Sequence, residues 1–149
     1  MIKAITLWQP WASAIALGLK KYETRSWATK HRGALAIHAS ARPMTAAHRA
    51  LAERYGMCDV PGGCDFLPLG AVVVICDLKD CIQMTQKFID DQSQMELAFG
   101  DWALGRFAWE LDILNVLTAP LPVCGHQGLW NLGGFEEYDT KRQMEFDLR

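Results

Sequence analysis

The chain has 149 residues, half of them hydrophobic, with a formal net charge of -2 and a pI near 6.1. That length fits one domain able to bury about two thirds of its unfolded surface, and the near-neutral balance excludes the broad positive field of a protein that coats nucleic acid regardless of sequence. No apolar run approaches the roughly 18 residues of a membrane span, and five cysteines, an odd number behind no secretory leader, point to a reducing cytoplasm.

Along the chain, IKAITLW alternates as a first strand and is closed by Gln9-Pro10, with Pro10 placed where the first turn of a helix tolerates it. Trp11, Ala14, Ile15 and Gly18 then recur at helical spacing, Ser13 is the only polar residue among them, and Gly18 supplies the stop. A helix so apolar is expected to be buried. Behind it, GLKKYETRSW crowds Lys20, Lys21, Glu23 and Arg25 after a stretch without charge. Between Lys20 and Arg32 the local charge is +4, which leaves the rest of the chain at -6. YETRSW and GALAIHAS have strand character; in the second, Leu35, Ile37 and Ala39 share one face while His38 and Ser40 share the other. Residues 44–55 read as an amphipathic helix with Met44, Ala47, Leu51 and Tyr55 on one stripe.

The segment GMCDVPGGCDFLP is too rich in Gly, Pro and Asp for regular structure and reads either as a lid or as a plain connection. Neither Cys58 and Cys64 nor Cys76 and Cys81 have the spacing that usually holds tetrahedral zinc, so the cysteines read as small buried hydrophobes, and no metal or cofactor is expected. Five consecutive apolar residues from Ala71 to Ile75 predict a strand buried on both faces. Residues 93–99 predict a short helix stopped by Gly100. GRFAWELDILNVLT predicts a long strand, with Phe107, Trp109, Leu111 and Ile113 on one face and Arg106, Glu110 and Asp112 on the other. PLPVCGHQGLWNL turns twice into a last short strand. Residues 1–134 are therefore expected to form one domain, and 135–149 a charged tail. Five or six strands and two or three short helices in mixed order predict an α+β domain around a curled or closed, mostly antiparallel sheet, and closure into a small barrel would remove exposed edges.

The stretch Gly18-x-Lys20-x-x-Glu23-x-Arg25, preceded by LWQPWASAIALG and followed by RGALAIHAS, LGAVVVICDL, GRFAWEL and GHQGLWNL, resembles the ASCH family, a branch of the PUA-like β-barrel superfamily. The resemblance covers about residues 2–132 and rests on the ordered set of segments more than on the four-position motif. It implies a PUA-like small β-barrel with two or three flanking helices and a cleft beside the first helix that serves RNA or modified-nucleoside recognition. Some members of that family are amidohydrolases acting on N-acetylated cytidine, and others ribonucleases.

If Gly18 ends the helix, Glu23, Arg25 and Trp27 fall on one side of the following strand, with Lys20 entering from the turn. A guanidinium offers a planar donor fork, a carboxylate accepts from an exocyclic amine and an indole offers a stacking face, which are the parts of a nucleotide pocket. The plainer alternative is a surface Glu23–Arg25 pair contributing under about 1 kcal/mol. Trp8 and Gln9 sit where the first strand meets the helix; Gln9 has the groups to read a base edge, and Trp8 suits either a cleft wall or the core. Arg106 adds a candidate phosphate contact. His38 reads as a satisfied structural histidine, since no nucleophile motif surrounds Ser40, and His126 and Gln127 lie in a turn bracketed by glycines.

These residues favour an RNA or modified-nucleotide binding module, with a small hydrolase as the alternative and a protein-interaction module as a second. In a hydrolase, Lys20 and Glu23 would be the catalytic pair. Lys20 would then need a lowered pKa, which Lys21 and Arg25 promote and Glu23 opposes. Amidohydrolase-type members carry Lys-x-x-Thr where this chain has Lys20-x-x-Glu23, which argues against deacetylation; a metal-free ribonuclease would use Glu23 as base and Lys20 or Arg25 as the phosphorane's cation.

Overall fold

The computed structural model describes residues 2–133. Six strands, β1 (Ile2–Leu7), β2 (Tyr22–Arg25), β3 (Gly33–Ala39), β4 (Ala71–Gln83), β5 (Phe107–Pro122) and β6 (Leu129–Leu132), form one sheet in the order β2-β5-β4-β3-β1-β6. All neighbouring pairs are antiparallel except β1 and β3, so the sheet is mixed. Among the described residues the two edge strands do not pair with each other, and the sheet is open rather than a closed barrel. The proposed tail, 135–149, lies outside the described residues.

Among the described residues four α-helices accompany the sheet: α1 (Trp11–Ala16), α2 (Ala46–Arg54), α3 (Gln86–Asp90) and α4 (Gln94–Ala98). This exceeds the two or three expected, because α3 is a five-residue turn too short to show periodicity. Its start is marked chemically instead, by Thr85, whose hydroxyl accepts from the Phe88 N–H at 3.2 Å. Of the 44–55 stripe, Met44, Leu51 and Tyr55 pack against the core, while Ala47 is exposed and Ala52 is buried instead. No helix among the described residues is long and apolar enough to cross a membrane.

One face of the sheet packs against α1 through Ile5, Leu35, Ile37, Val73, Leu78 and Trp109, and the other is closed by Ala36, Val72, Leu117, Trp130 and Leu132. Ala71 to Ile75 are all buried, as a run without alternation requires. Along β5 the alternation holds through Trp109 and Leu111 and then fails at Ile113, which is 44% exposed, because the pairing with β4 shifts register between Ile75 and Cys76. Phe107 is half-buried. The Gly-rich segment 56–68 packs down through Met57 and Cys64 beside Ala14, Ala52 and Phe99. Cys58 and Cys64, expected as separate small hydrophobes, are joined by a disulfide, since Gly62 and Gly63 at φ of 92° and 61° fold the loop back until the two Cα atoms are 4.5 Å apart. Cys76 does behave as a buried hydrophobe, its thiol pushed up to about 12 by burial and by the nearby Asp112.

Candidate functional site

The charged segment behind α1 is drawn inward by a turn only glycine makes easily. Gly18 sits at φ +77°, and the N–H groups of Leu19 and Lys20 both reach the Ala14 carbonyl, at 2.9 and 3.2 Å. The chain then enters β2 with Glu23 opposite Trp109 and Arg25 opposite Phe107. The far side of β2 is pinned by the segment after α4. Thr24 Oγ1 accepts from the Asp101 N–H at 3.0 Å, and a Glu96 carboxylate oxygen accepts from the Lys21 N–H.

This geometry buries charge. Lys20 is 3% exposed and Glu23 8%. Lys20 Nζ donates to the Phe99 carbonyl at 2.7 Å and lies 3.8 Å from Glu23 Oε2, while Arg25 Nε lies 3.3 Å from Glu23 Oε1. Burial lowers the Lys20 pKa, against the opposing pull of the Glu23 and Glu96 carboxylates, and Arg25 adds to the lowering. Despite the ion-pair distances, Glu23 Oε2 and Arg25 Nε are buried without a hydrogen bond among the described residues. Unmade bonds of this kind are costly in a folded protein, and here both atoms belong to residues that line a cleft.

The cleft, about 500 Å³, is lined by Glu23 and Arg25, by Trp8, Trp11 and Trp27, and by Asp101 and Arg106 among others. Trp27 meets Trp109 edge-on with ring centroids 4.8 Å apart, which fixes the orientation of its indole. Arg106 Nε donates to the Asp101 carbonyl at 2.9 Å, and Nη1 lies 3.5 Å from Asp101 Oδ2. A carboxylate acceptor, a guanidinium fork and indole faces around one concavity can pair with a base edge, hold a phosphate and stack a ring.

Of the residues singled out in the sequence, Trp8, Glu23, Arg25, Trp27 and Arg106 line this cleft. Lys20 is not among its lining residues; it stands behind Glu23. Gln9 is fully buried and committed elsewhere: its Oε1 accepts from the Ser13 N–H at 3.0 Å, and its Nε2 donates to Ser13 Oγ at 2.6 Å and to the Pro68 carbonyl at 2.8 Å. A side chain immediately ahead of a helix is well placed to satisfy one of its orphan donors, and Gln9 does so while tying down the 56–68 segment. Thr6, Trp11 and Asp101 escaped the sequence reading as site residues. Trp11 was visible only as a helix residue, and nothing in the sequence brings Asp101 to β2.

A second, larger chamber of about 970 Å³ adjoins the first and shares Thr6, Trp8 and Arg25 with it; its other side is formed by His38, Ser40 and the 123–128 loop. His38 is held by its neighbours, as the sequence suggested. Its Nε2 donates to the Val123 carbonyl at 2.7 Å and its Nδ1 accepts from Thr6 Oγ1 at 3.1 Å, while Thr6 Oγ1 accepts from Trp130 Nε1 at 3.0 Å. That pattern fits the neutral ring. Gly125 makes the loop's approach possible: a Cβ there would come within 2.6 Å of Thr6 Oγ1 and 2.7 Å of the His38 ring. Gly125→Ala is expected to push the loop outward and cost about 1–3 kcal/mol, read as a lowered thermal midpoint.

Burial depresses the His38 pKa below its ordinary 6.5, with the Val123 hydrogen bond opposing and His126 adding to the effect. The unfolded chain therefore binds the proton first, so this contribution to stability is complete above about pH 6.5 and declines as pH falls through that value, with a ceiling of about 1.4 kcal/mol per pH unit. Thermal midpoints between pH 7.5 and 5.5 should fall, and His38→Gln should start lower and fall less steeply.

Among the described residues no group of three His, Cys, Asp or Glu side chains is arranged to hold a metal ion. A family model described as ASCH domain matches residues 5–118. Two proteins named Activating signal cointegrator 1 are similar to this chain. The human one is 33% identical over 139 residues, covering 86% of this chain and 22% of that protein. The mouse one is 34% identical over 102 residues, covering 64% and 17%. The similar region is thus about a fifth of each relative's length.

Proposed function

Since the chain belongs to the ASCH domain family, we propose that it is a binding module for RNA or a modified nucleotide, and that the cleft at the end of α1 holds the base. The observation that carries this reading is the Glu23 carboxylate: buried, set between Lys20 at 3.8 Å from Oε2 and Arg25 at 3.3 Å from Oε1, and lining a cleft together with Trp8, Trp11 and Trp27. A base with an exocyclic amine would donate to this carboxylate from the cleft side, and Arg25 and Arg106 would meet phosphate. Lys20, spent on the Phe99 carbonyl and 3.8 Å from Glu23 Oε2, is assigned the role of holding Glu23 in place rather than of touching the ligand.

A panel of nucleosides and short single-stranded RNAs, titrated against the full chain by tryptophan fluorescence, tests the proposal, with product analysis of whatever binds. Ligand with unchanged composition is expected; cleaved RNA or deacylated nucleoside would replace the binding module with the hydrolase. The two arginines that line the cleft, Arg25 and Arg106, predict a modest salt dependence, with a log–log slope of about -1.4 for single strands. A slope much steeper than about -4 would place the principal contacts outside this cleft.

A further inference from the structure

We infer that the two adjoining chambers form one groove for two consecutive nucleotides, with the bridging phosphate on Arg25, so that the natural ligand is a single-stranded dinucleotide step rather than a free nucleoside. This rests on the reading of the smaller chamber as a base site. Size is the first argument: ligand pockets run from roughly 300 to 1,000 Å³, and the smaller chamber, about 500 Å³, suits one nucleoside, while the larger, about 970 Å³, would be left unused. The second argument is position. Thr6, Trp8 and Arg25 line both chambers, so the junction is built from a hydroxyl, an indole and a guanidinium.

Charge gives the third. The smaller chamber is lined by Glu23 and Asp101 as well as by arginines, a mixture suited to reading a base edge. The described lining of the larger chamber contains no acid; Arg25 is its charged residue, and His126 and Ser40 add polar groups. Arg42 stands over the Trp8 ring at 4.7 Å and forms no ion pair among the described residues, so a second cation is close by. Arg25 itself has capacity to spare: among the described residues its Nε lies 3.3 Å from Glu23 Oε1 and its Nη2 makes a 3.4 Å contact to the Thr6 carbonyl, and no other hydrogen bond engages the guanidinium. A phosphate at the junction would take the planar fork, with the flanking sugar and base lying in the acid-free chamber.

The test compares the four nucleoside monophosphates with the sixteen dinucleoside monophosphates, using the full chain. The best dinucleotide is expected to bind at least tenfold more tightly than either of its constituent mononucleotides. A methylphosphonate linkage, which removes the bridging charge, should abolish most of that gain, and so should Ala41→Phe, an exposed position that fills the larger chamber, while mononucleotide affinity stays unchanged. Equal affinity of mononucleotide and dinucleotide, or a gain that survives both the neutral linkage and Ala41→Phe, would overturn the two-nucleotide groove and leave the base site standing. Absence of binding by every ligand would overturn both.

Discussion

Glu23→Gln is expected to weaken ligand binding by about 1–3 kcal/mol, since on the proposed reading it removes a buried acceptor that a base's amine would use. It should also lower stability. The Lys20 ammonium, 3% exposed, would lose the carboxylate 3.8 Å away, and breaking a buried pair costs about 3 kcal/mol when the partner stays charged. Because burial already lowers the Lys20 pKa, losing Glu23 lowers it further. The folded state then releases its proton before the unfolded chain does, so the deficit should shrink as pH rises through the new folded value. The two roles separate in the double variant Lys20→Met/Glu23→Gln. Neutralising both members should recover part of the thermal midpoint, less about 1 kcal/mol for the Phe99 carbonyl left without its donor and less what Arg25 loses with the carboxylate 3.3 Å from its Nε, and should recover none of the affinity. Unchanged affinity with lowered midpoints in both Glu23→Gln and Arg25→Gln would make the segment a structural brace and remove the base site.

Trp109→Ala carries the largest expected cost to stability, about 3–5 kcal/mol, because a fully buried indole in the main core is replaced by a cavity. Affinity should fall as well in protein that remains folded, since Trp109 is the edge against which Trp27 of the cleft rests. Trp109→Phe provides the contrast. Among the described residues the buried Trp109 Nε1 has no hydrogen-bond partner, so phenylalanine gives up volume but also relieves an unpaired donor, and the cost should be about 1 kcal/mol. Chemical denaturation of the two variants reads the difference directly. A phenylalanine variant as damaged as the alanine one would mean that the indole N–H has a partner in solution.

Local patterns were legible wherever one physical rule acted alone. The apolar run Ala71 to Ile75 needs both faces covered, and it is covered; Gly18 must end α1, because φ +77° is easy only for glycine; Glu23 and Arg25 share a side of β2 because strand side chains alternate. Family membership was legible too, since it rests on the order of such segments along the chain. What the sequence by itself could not determine depends on groups distant along the chain. Lys20 is buried because the Phe99 carbonyl, 79 positions away, offers it a hydrogen bond, and Asp101 enters the cleft only because its N–H is captured by Thr24. Gln9 looked free to read a base and is consumed instead by Ser13 and Pro68. Alternation along β5 places Ile113 inward, and a register shift across the β4–β5 pair turns it out. Whether the sheet closes is decided in the same way: strand periodicity says which side chains share a face, whereas the pairing of β2 and β6 depends on how far four intervening strands curl, and only the assembled sheet fixes that.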